Sequence, residues 1–175
     1  MVAGFNFSEN GKFEFFYSYG AVDRRATGSF SVDGKIVRLR SDKEPGKDFT
    51  VTRESKEGKG YSISFDHPNQ YLLNHIRVIF FVGEERHETF TDNKGRINVD
   101  LSSCDKIFVQ HTLYPDIVTL IKDKDNNYNQ FELTLNPSLE QVSFKGIDFT
   151  IAGDSVITCM PNYFIEMTDI EFVKE

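Results

Sequence analysis

Residues 11–40 read GKFEFFYSYGAVDRRATGSFSVDGKIVRLR, and this stretch decides the fold class. Residues 12–19 carry an aromatic side chain at every second position, namely Phe13, Phe15, Tyr17 and Tyr19. Such alternation is typical of a strand with one buried face, because successive side chains of a strand point to opposite faces. Two further strands, 29–32 and 35–40, flank Asp33-Gly34, a dipeptide that favours a two-residue hairpin turn. The stretch therefore predicts an up-and-down β-meander, with Phe30, Val32, Val37 and Leu39 facing inward.

The end of the chain repeats part of this pattern. FTIAGDSV at 149–156 aligns with FSVDGKIV at 30–37 through an aromatic residue, a hydroxyl residue, a β-branched residue, Gly at the fifth position and Val at the eighth. This similarity predicts a second hairpin, and we expect the two ends of the chain to share one sheet. Short strands are predicted at 142–144, 147–151, 155–158, 163–166 and 170–173.

The middle of the chain is a series of short alternating segments between polar turns. Segments 41–48, which contains Pro45-Gly46, and 136–138 are predicted boundaries. We therefore predict an all-β protein with an antiparallel β-sandwich at about 49–135. A second small β-sheet or partial barrel would be built from 1–42 and 142–175.

Two family resemblances are visible at the level of short patterns. The hairpins around Gly34 and Gly153 resemble the meander strands of lipocalin-like barrels. TFTDNKGRINV at 89–99 is similar to transthyretin-like and carboxypeptidase-regulatory-like β-sandwiches, which carry Thr-Asp-x-x-Gly before an alternating strand. The whole chain also resembles uncharacterised bacterial all-β proteins. These resemblances imply folds, and the sandwich would then be a recognition or stalk element.

Composition and net charge limit the classes of molecule that the protein is expected to bind. The chain has 175 residues, a net charge of −7, 17 Phe, 7 Tyr and no Trp. Nucleic-acid binding draws much of its affinity from Lys and Arg that neutralise phosphates, so nucleic acid is not an expected partner. The longest strongly apolar run, 78–82, is far below the ~20 residues of a transmembrane helix.

Cysteine usage and the start of the chain are the two sequence features that bear on the cellular compartment. Cys104 and Cys159 are either a cross-chain pair or two buried thiols, and buried thiols are the more economical interpretation. No signal peptide is recognisable, yet strand-like sequence begins almost at once after Met1. Removal of a leader would favour the cell envelope or periplasm over the cytoplasm.

Metal and cofactor signals are weak. The four histidines, His67, His75, His87 and His111, form no short-range ligand pair. Segment 123–129 begins like a calcium loop, but Tyr128 and Thr134 stand where Gly and Glu are needed. We expect a solvated turn there, with no metal and no cofactor.

Catalytic signals are equally weak. The chain has no Gly-x-Ser-x-Gly, and nothing in the spacing selects Cys104 with His111 as a nucleophile and its base. No pair of carboxylates is singled out for glycoside hydrolysis. An enzyme is therefore less expected than a binding protein.

The candidate ligand-binding residues lie beside the opening meander. Asp23, Arg24 and Arg25 are predicted to lie in a connection, 20–28, at the mouth of a partial barrel, near Tyr17 and Tyr19. Arginine there suits a carboxylate or sugar hydroxyls. The alternative is that Asp23 caps the turn while the arginines cover its surface.

Three functions remain open. The leading hypothesis is a non-enzymatic binding or interaction protein for a small ligand or a protein partner. A small-ligand carrier or hydrolase that uses the interior of the terminal meander is the second. A structural protein of the cell envelope is the third.

Overall fold

The computed structural model describes residues 2–162, 164–165 and 170–174. These residues form two compact units, Met1–Pro45 with Glu140–Glu175, and Gly46–Leu139. The strands are β1 (Val2–Phe7), β2 (Lys12–Tyr19), β3 (Val22–Asp33), β4 (Ile36–Ser41), β5 (Phe49–Ser55), β6 (Tyr61–Asp66), β7 (Ile76–Val82), β8 (Glu85–Phe90), β9 (Arg96–Val99), β10 (Lys106–His111), β11 (Thr119–Lys122), β12 (Gln130–Leu135), β13 (Asp148–Gly153), β14 (Val156–Cys159) and β15 (Glu171–Val173). Two short 3-10 turns occur at Gln70–His75 and Pro137–Glu140.

The first unit is one seven-stranded antiparallel sheet in the order β1-β2-β3-β4-β13-β14-β15. The N-terminal and C-terminal strands meet where Val37 of β4 pairs with Phe149 of β13. The sheet curls almost into a barrel, since the rings of Phe5 on β1 and Phe172 on β15 lie 4.9 Å apart. The predicted sheet from both ends of the chain is confirmed.

Aromatic rings fill the interior of this sheet. Phe13 and Phe15 are buried, as predicted from the alternation in β2. Phe144 packs edge-to-face on both, with centroids at 5.9 and 5.1 Å. Offset and edge-to-face packing of this kind stabilises a core beyond the area it buries. The rings of Phe13, Phe15 and Phe144 therefore pack against one another inside the sheet.

The second unit consists of two four-stranded sheets, β5-β12-β6-β9 and β11-β10-β7-β8. Their inner faces carry fully buried aliphatic residues such as Ile63 and Val78, and the rings of Tyr61 and Phe80 meet at 6.1 Å. The predicted sandwich is confirmed. One neighbouring pair, β6 with β12, is parallel rather than antiparallel.

Some predicted elements are wrong in detail. The expected connection 20–28 is almost all strand, because β3 starts at Val22 after the two-residue turn Gly20-Ala21. Every second residue from Val22 faces inward, including Ala26 and Gly28. A Cβ on Gly28 would lie 2.1 Å from the Arg40 carbonyl oxygen, so only glycine allows β4 to approach there.

Smaller differences occur in the hairpins and the tail. The turn after β3 is Gly34-Lys35, one residue later than predicted, and Val32 is 53% exposed rather than inward. Residues 142–144 are buried but do not form a strand. The Val142 N–H donates to the Arg25 carbonyl oxygen and the Phe144 N–H donates to the Ser41 hydroxyl, so the two bonds do not belong to one strand ladder. Much of the predicted strand 163–166 lies outside the described residues.

Among the described residues, no helix has the length and apolar character needed to cross a membrane.

Candidate functional site

The five residues proposed from the sequence do not form one cluster. Asp23 and Arg25 are exposed on one face of β3, whereas Arg24 is buried on the other. Tyr17 and Tyr19 lie opposite Arg24 and Val22, so they share the inner face, where Tyr17 is half-buried and Tyr19 is 62% exposed. The loop placement is wrong, because the alternation of a strand separates adjacent residues. Their role in ligand binding stays a prediction.

The buried side chain of Arg24 contacts other parts of the first unit. Its guanidinium donates to the carbonyl oxygen of Gln141 at 2.9 Å, and Lys43 donates to the same oxygen at 2.8 Å. The guanidinium carbon also lies 5.1 Å from the centre of the Phe164 ring. A cation over an aromatic face and a charge-assisted hydrogen bond both stabilise a fold. Arg24 therefore ties β3 to the segment that follows Glu140.

Two of the four histidines are neighbours, since the rings of His75 and His111 have centroids 6.1 Å apart, whereas His67 and His87 have separate local partners. The buried ring of His111 has Nε2 at 2.9 Å from the Leu72 carbonyl oxygen, and its Nδ1 accepts from the Leu113 N–H. His67 binds the backbone of Asn69, and His87 lies 3.6 Å from Glu85. Within the described part of the chain, no group of three or more His, Cys, Asp or Glu residues is placed to hold a metal ion.

The thiols and the acidic turn also have local roles. Cys104 and Cys159 are both free and buried, and burial raises the pKa of each thiol. The Cys104 sulfur contacts the carbonyl oxygens of Phe81 and Lys106. In the calcium-like segment, the Asp123 carboxylate accepts from the N–H groups of Asp125 and Asn126, which closes the turn.

The second unit contains an open cleft of about 630 Å³, here called the polar cleft. Its polar side chains are Glu57, Lys59, Ser62, Asn98, Asp100 and Gln130, and its remaining lining is Gly58, Tyr61 and Val99. Tyr61 is largely buried, and burial is the main cause that raises the pKa of its hydroxyl.

Three strands build the floor of the polar cleft. Gln130 on β12 pairs with Ser62 on β6, and Ser62 pairs with Asn98 on β9. Neighbouring strands lie about 4.8 Å apart, so these three side chains form a row roughly 10 Å long on the outer face of the sheet. Such a row offers hydroxyl and amide groups that both donate and accept hydrogen bonds.

Asn129 fixes one rim of the cleft. Its side-chain nitrogen donates to the carbonyl oxygens of Glu57 and Gly60, at 3.0 and 2.7 Å. Its side-chain oxygen accepts from the Glu57 N–H at 2.9 Å. Gln130 adds a bond to the Glu57 carbonyl oxygen at 3.1 Å. The loop that carries Glu57 and Lys59 is therefore pre-organised rather than loose.

Several polar groups in the cleft are available. The side chains of Lys59, Ser62, Asn98 and Asp100 make no hydrogen bond to any described residue. The lining holds two carboxylates and one ammonium in a chain of net charge −7. A multiply charged anion is therefore disfavoured, and a neutral ligand with many hydrogen-bonding groups fits the lining.

A second, smaller pocket of about 150 Å³ adjoins the cleft and is here called the side pocket. It shares Val99 and Asp100 with the cleft and is otherwise lined by Phe80, His87, Glu88, Thr89 and Leu101. The ring of Phe80, which lines the side pocket, packs edge-on against the ring of Tyr61, which lines the cleft.

The polar cleft could hardly be predicted from sequence patterns. Its row comes from residues 62, 98 and 130, which only the pairing of three strands brings together. The available signal was the polar side of the alternating segments, where Ser62 and Asn98 stand between apolar residues and Gln130 precedes Phe131. Polar residues on the outer face of a sandwich strand are common, so that signal alone selects nothing.

Comparisons with protein-family models, with curated proteins and with solved structures found no match.

Proposed function

We propose that this protein is a non-enzymatic binding protein whose polar cleft holds a neutral, hydroxyl-rich ligand, an oligosaccharide. The observation that carries the proposal is the row Gln130, Ser62 and Asn98, together with the free polar groups of Lys59 and Asp100. Sugar hydroxyls both donate and accept, as do the amide and hydroxyl groups of this row.

Shape supports the same class of ligand. Small-molecule sites are concave and combine a largely pre-formed surface with a few placed polar groups. The floor of the cleft is sheet and its rim is held by Asn129, so little ordering would accompany binding. Pre-organisation lowers the entropic cost of binding.

Calorimetric titration of the full chain with cellobiose and maltotriose tests the proposal. We expect binding that Ser62→Ala and Asn98→Ala each weaken by roughly fivefold, since one lost hydrogen bond costs about 1 kcal/mol. Ser64→Ala is the matched control, because Ser64 lies two residues further along the same face of β6 and does not line the cleft. Absence of binding at millimolar sugar, or equal weakening by Ser64→Ala, would contradict the proposal.

One specific observation supports an enzyme as the second candidate. Glu57 and Asp100 line the same cleft, and glycoside hydrolysis needs two carboxylates on either side of the scissile bond. Release of reducing ends from the bound sugar, abolished by Asp100→Asn, would replace the non-enzymatic proposal with this one.

A further inference from the structure

The side pocket has the chemistry of a site for a small group that is apolar at one end and polar at the other. Its base is the buried ring of Phe80 with the half-buried side chain of Leu101. Its wall is the inner side of β8, where His87 pairs with Phe80 and Thr89 pairs with Val78. A methyl group would contact the base, while a carbonyl would meet the wall.

The wall offers hydrogen-bond donors. The Thr89 hydroxyl makes no hydrogen bond with the described part of the chain. One ring nitrogen of His87 lies 3.6 Å from Glu85, which leaves the other nitrogen for a ligand. Glu88, by contrast, is held by Arg77 and Arg86 on the opposite side of the strand.

The position of the side pocket limits what would enter it. It meets the polar cleft at Val99 and Asp100, so a substituent of a bound sugar can reach it without the ring leaving the row. The Asp100 carboxylate stands at this junction and can accept a hydrogen bond from an amide N–H.

From this arrangement we propose that the protein recognises an N-acetylated amino sugar. The acetamido group occupies the side pocket: its methyl lies against Phe80 and Leu101, its carbonyl accepts from Thr89, and its N–H donates to Asp100. This inference rests on the proposed function, because it names the sugar class for the polar cleft.

The size of the expected preference for an N-acetylated sugar follows from the contacts of the acetamido group. A buried methyl group and one added hydrogen bond correspond to an affinity gain of roughly tenfold over a sugar with a hydroxyl at the same position. Removal of the Thr89 hydroxyl should take away much of that gain and leave the binding of a simple sugar unchanged.

Titration of the full chain with N,N′-diacetylchitobiose and with cellobiose tests the inference, because these β-1,4 disaccharides differ only in the acetamido groups. We expect the acetylated sugar to bind about tenfold tighter. Thr89→Val should remove much of this preference while the affinity for cellobiose stays the same. The substitution keeps a β-branched side chain suited to a strand, and the melting temperature confirms folding.

Thr150→Val on β13 is the matched control, an exposed threonine on a strand of the other unit. Equal affinity for the two sugars would overturn the inference while the proposed function stands. An undiminished preference after Thr89→Val would overturn the assignment to the side pocket. Binding of neither sugar would overturn both proposals.

Discussion

At the scale of single residues, Arg24 illustrates how a buried charge serves the fold. Its guanidinium binds the Gln141 carbonyl and lies on the Phe164 ring. We expect Arg24→Met to lower the free energy of unfolding by about 2 kcal/mol, the usual size for a hydrogen bond to a charged group. Urea denaturation measures this change. Arg25→Met, on the exposed face, is the control and should be nearly neutral; equal losses would refute the assigned role.

The two thiols give a prediction for pH. Burial raises the pKa of Cys104 and Cys159 above the ordinary value of 9.0. In the unfolded chain these thiols ionise first as pH rises, so their contribution to stability is complete below the unfolded pKa and is lost as pH rises towards the folded pKa.

The measurement compares urea midpoints of the natural chain and a Cys104→Ala, Cys159→Ala variant between about pH 7 and pH 10. The natural chain should lose more stability over this range than the variant. A thiol reagent should also label the folded protein much more slowly than the unfolded one, because the thiolate is the reactive form. Fast labelling of the folded chain at neutral pH would contradict the buried placement.

At the scale of elements, the close approach of β6 and β9 depends on Gly60. Gly60 has φ +72°, and a Cβ there would lie 2.4 Å from the Val99 carbonyl oxygen. Gly58 has φ +64° with nothing near its Cβ position, so it isolates the backbone effect. Gly58→Ala should cost about 1 kcal/mol of left-handed strain, and Gly60→Ala should cost clearly more. Thermal unfolding of the two variants decides this, and equal melting temperatures would contradict the contact.

Elements with apolar alternation were predictable. β2 and β4 place apolar residues at every second position, and the strands predicted at 12–19 and 35–40 lie within one residue of the observed bounds. The first half of β3 was not recognised, because its inward positions hold Arg24, Ala26 and Gly28 instead of large apolar residues. The parallel pairing of β6 with β12 could not be predicted either, since alternation does not encode strand direction.

That pairing is also why the candidate site was missed. Ser62 and Gln130 are 68 positions apart in the chain and become neighbours only through β6 and β12. The cluster of Asp23, Arg24 and Arg25 stood out in sequence because its members are adjacent. Adjacency in a strand places side chains on opposite faces, so it works against a shared site.

At the scale of the whole molecule, the first unit needs both ends of the chain. Val142, Phe144 and Phe149 are fully buried in its core, and β13 completes the hydrogen bonds of β4. Deletion from Val142 onward should therefore expose the N-terminal strands, and hydrogen exchange of the Phe13–Tyr19 amides should become fast. The amides of Ile63 and Leu133, in the core of the second unit, are the internal control. Retained protection of Phe13–Tyr19 would refute the shared sheet as the source of stability.

The central claim is that the polar cleft of the second unit binds a neutral sugar. Chemical-shift mapping of the full, isotope-labelled chain during titration with N,N′-diacetylchitobiose tests it most directly. The account predicts that the perturbed amides cluster at residues 57–62, 87–89, 98–101 and 130. Perturbations centred on residues 17–25, or none at saturating sugar, would contradict it.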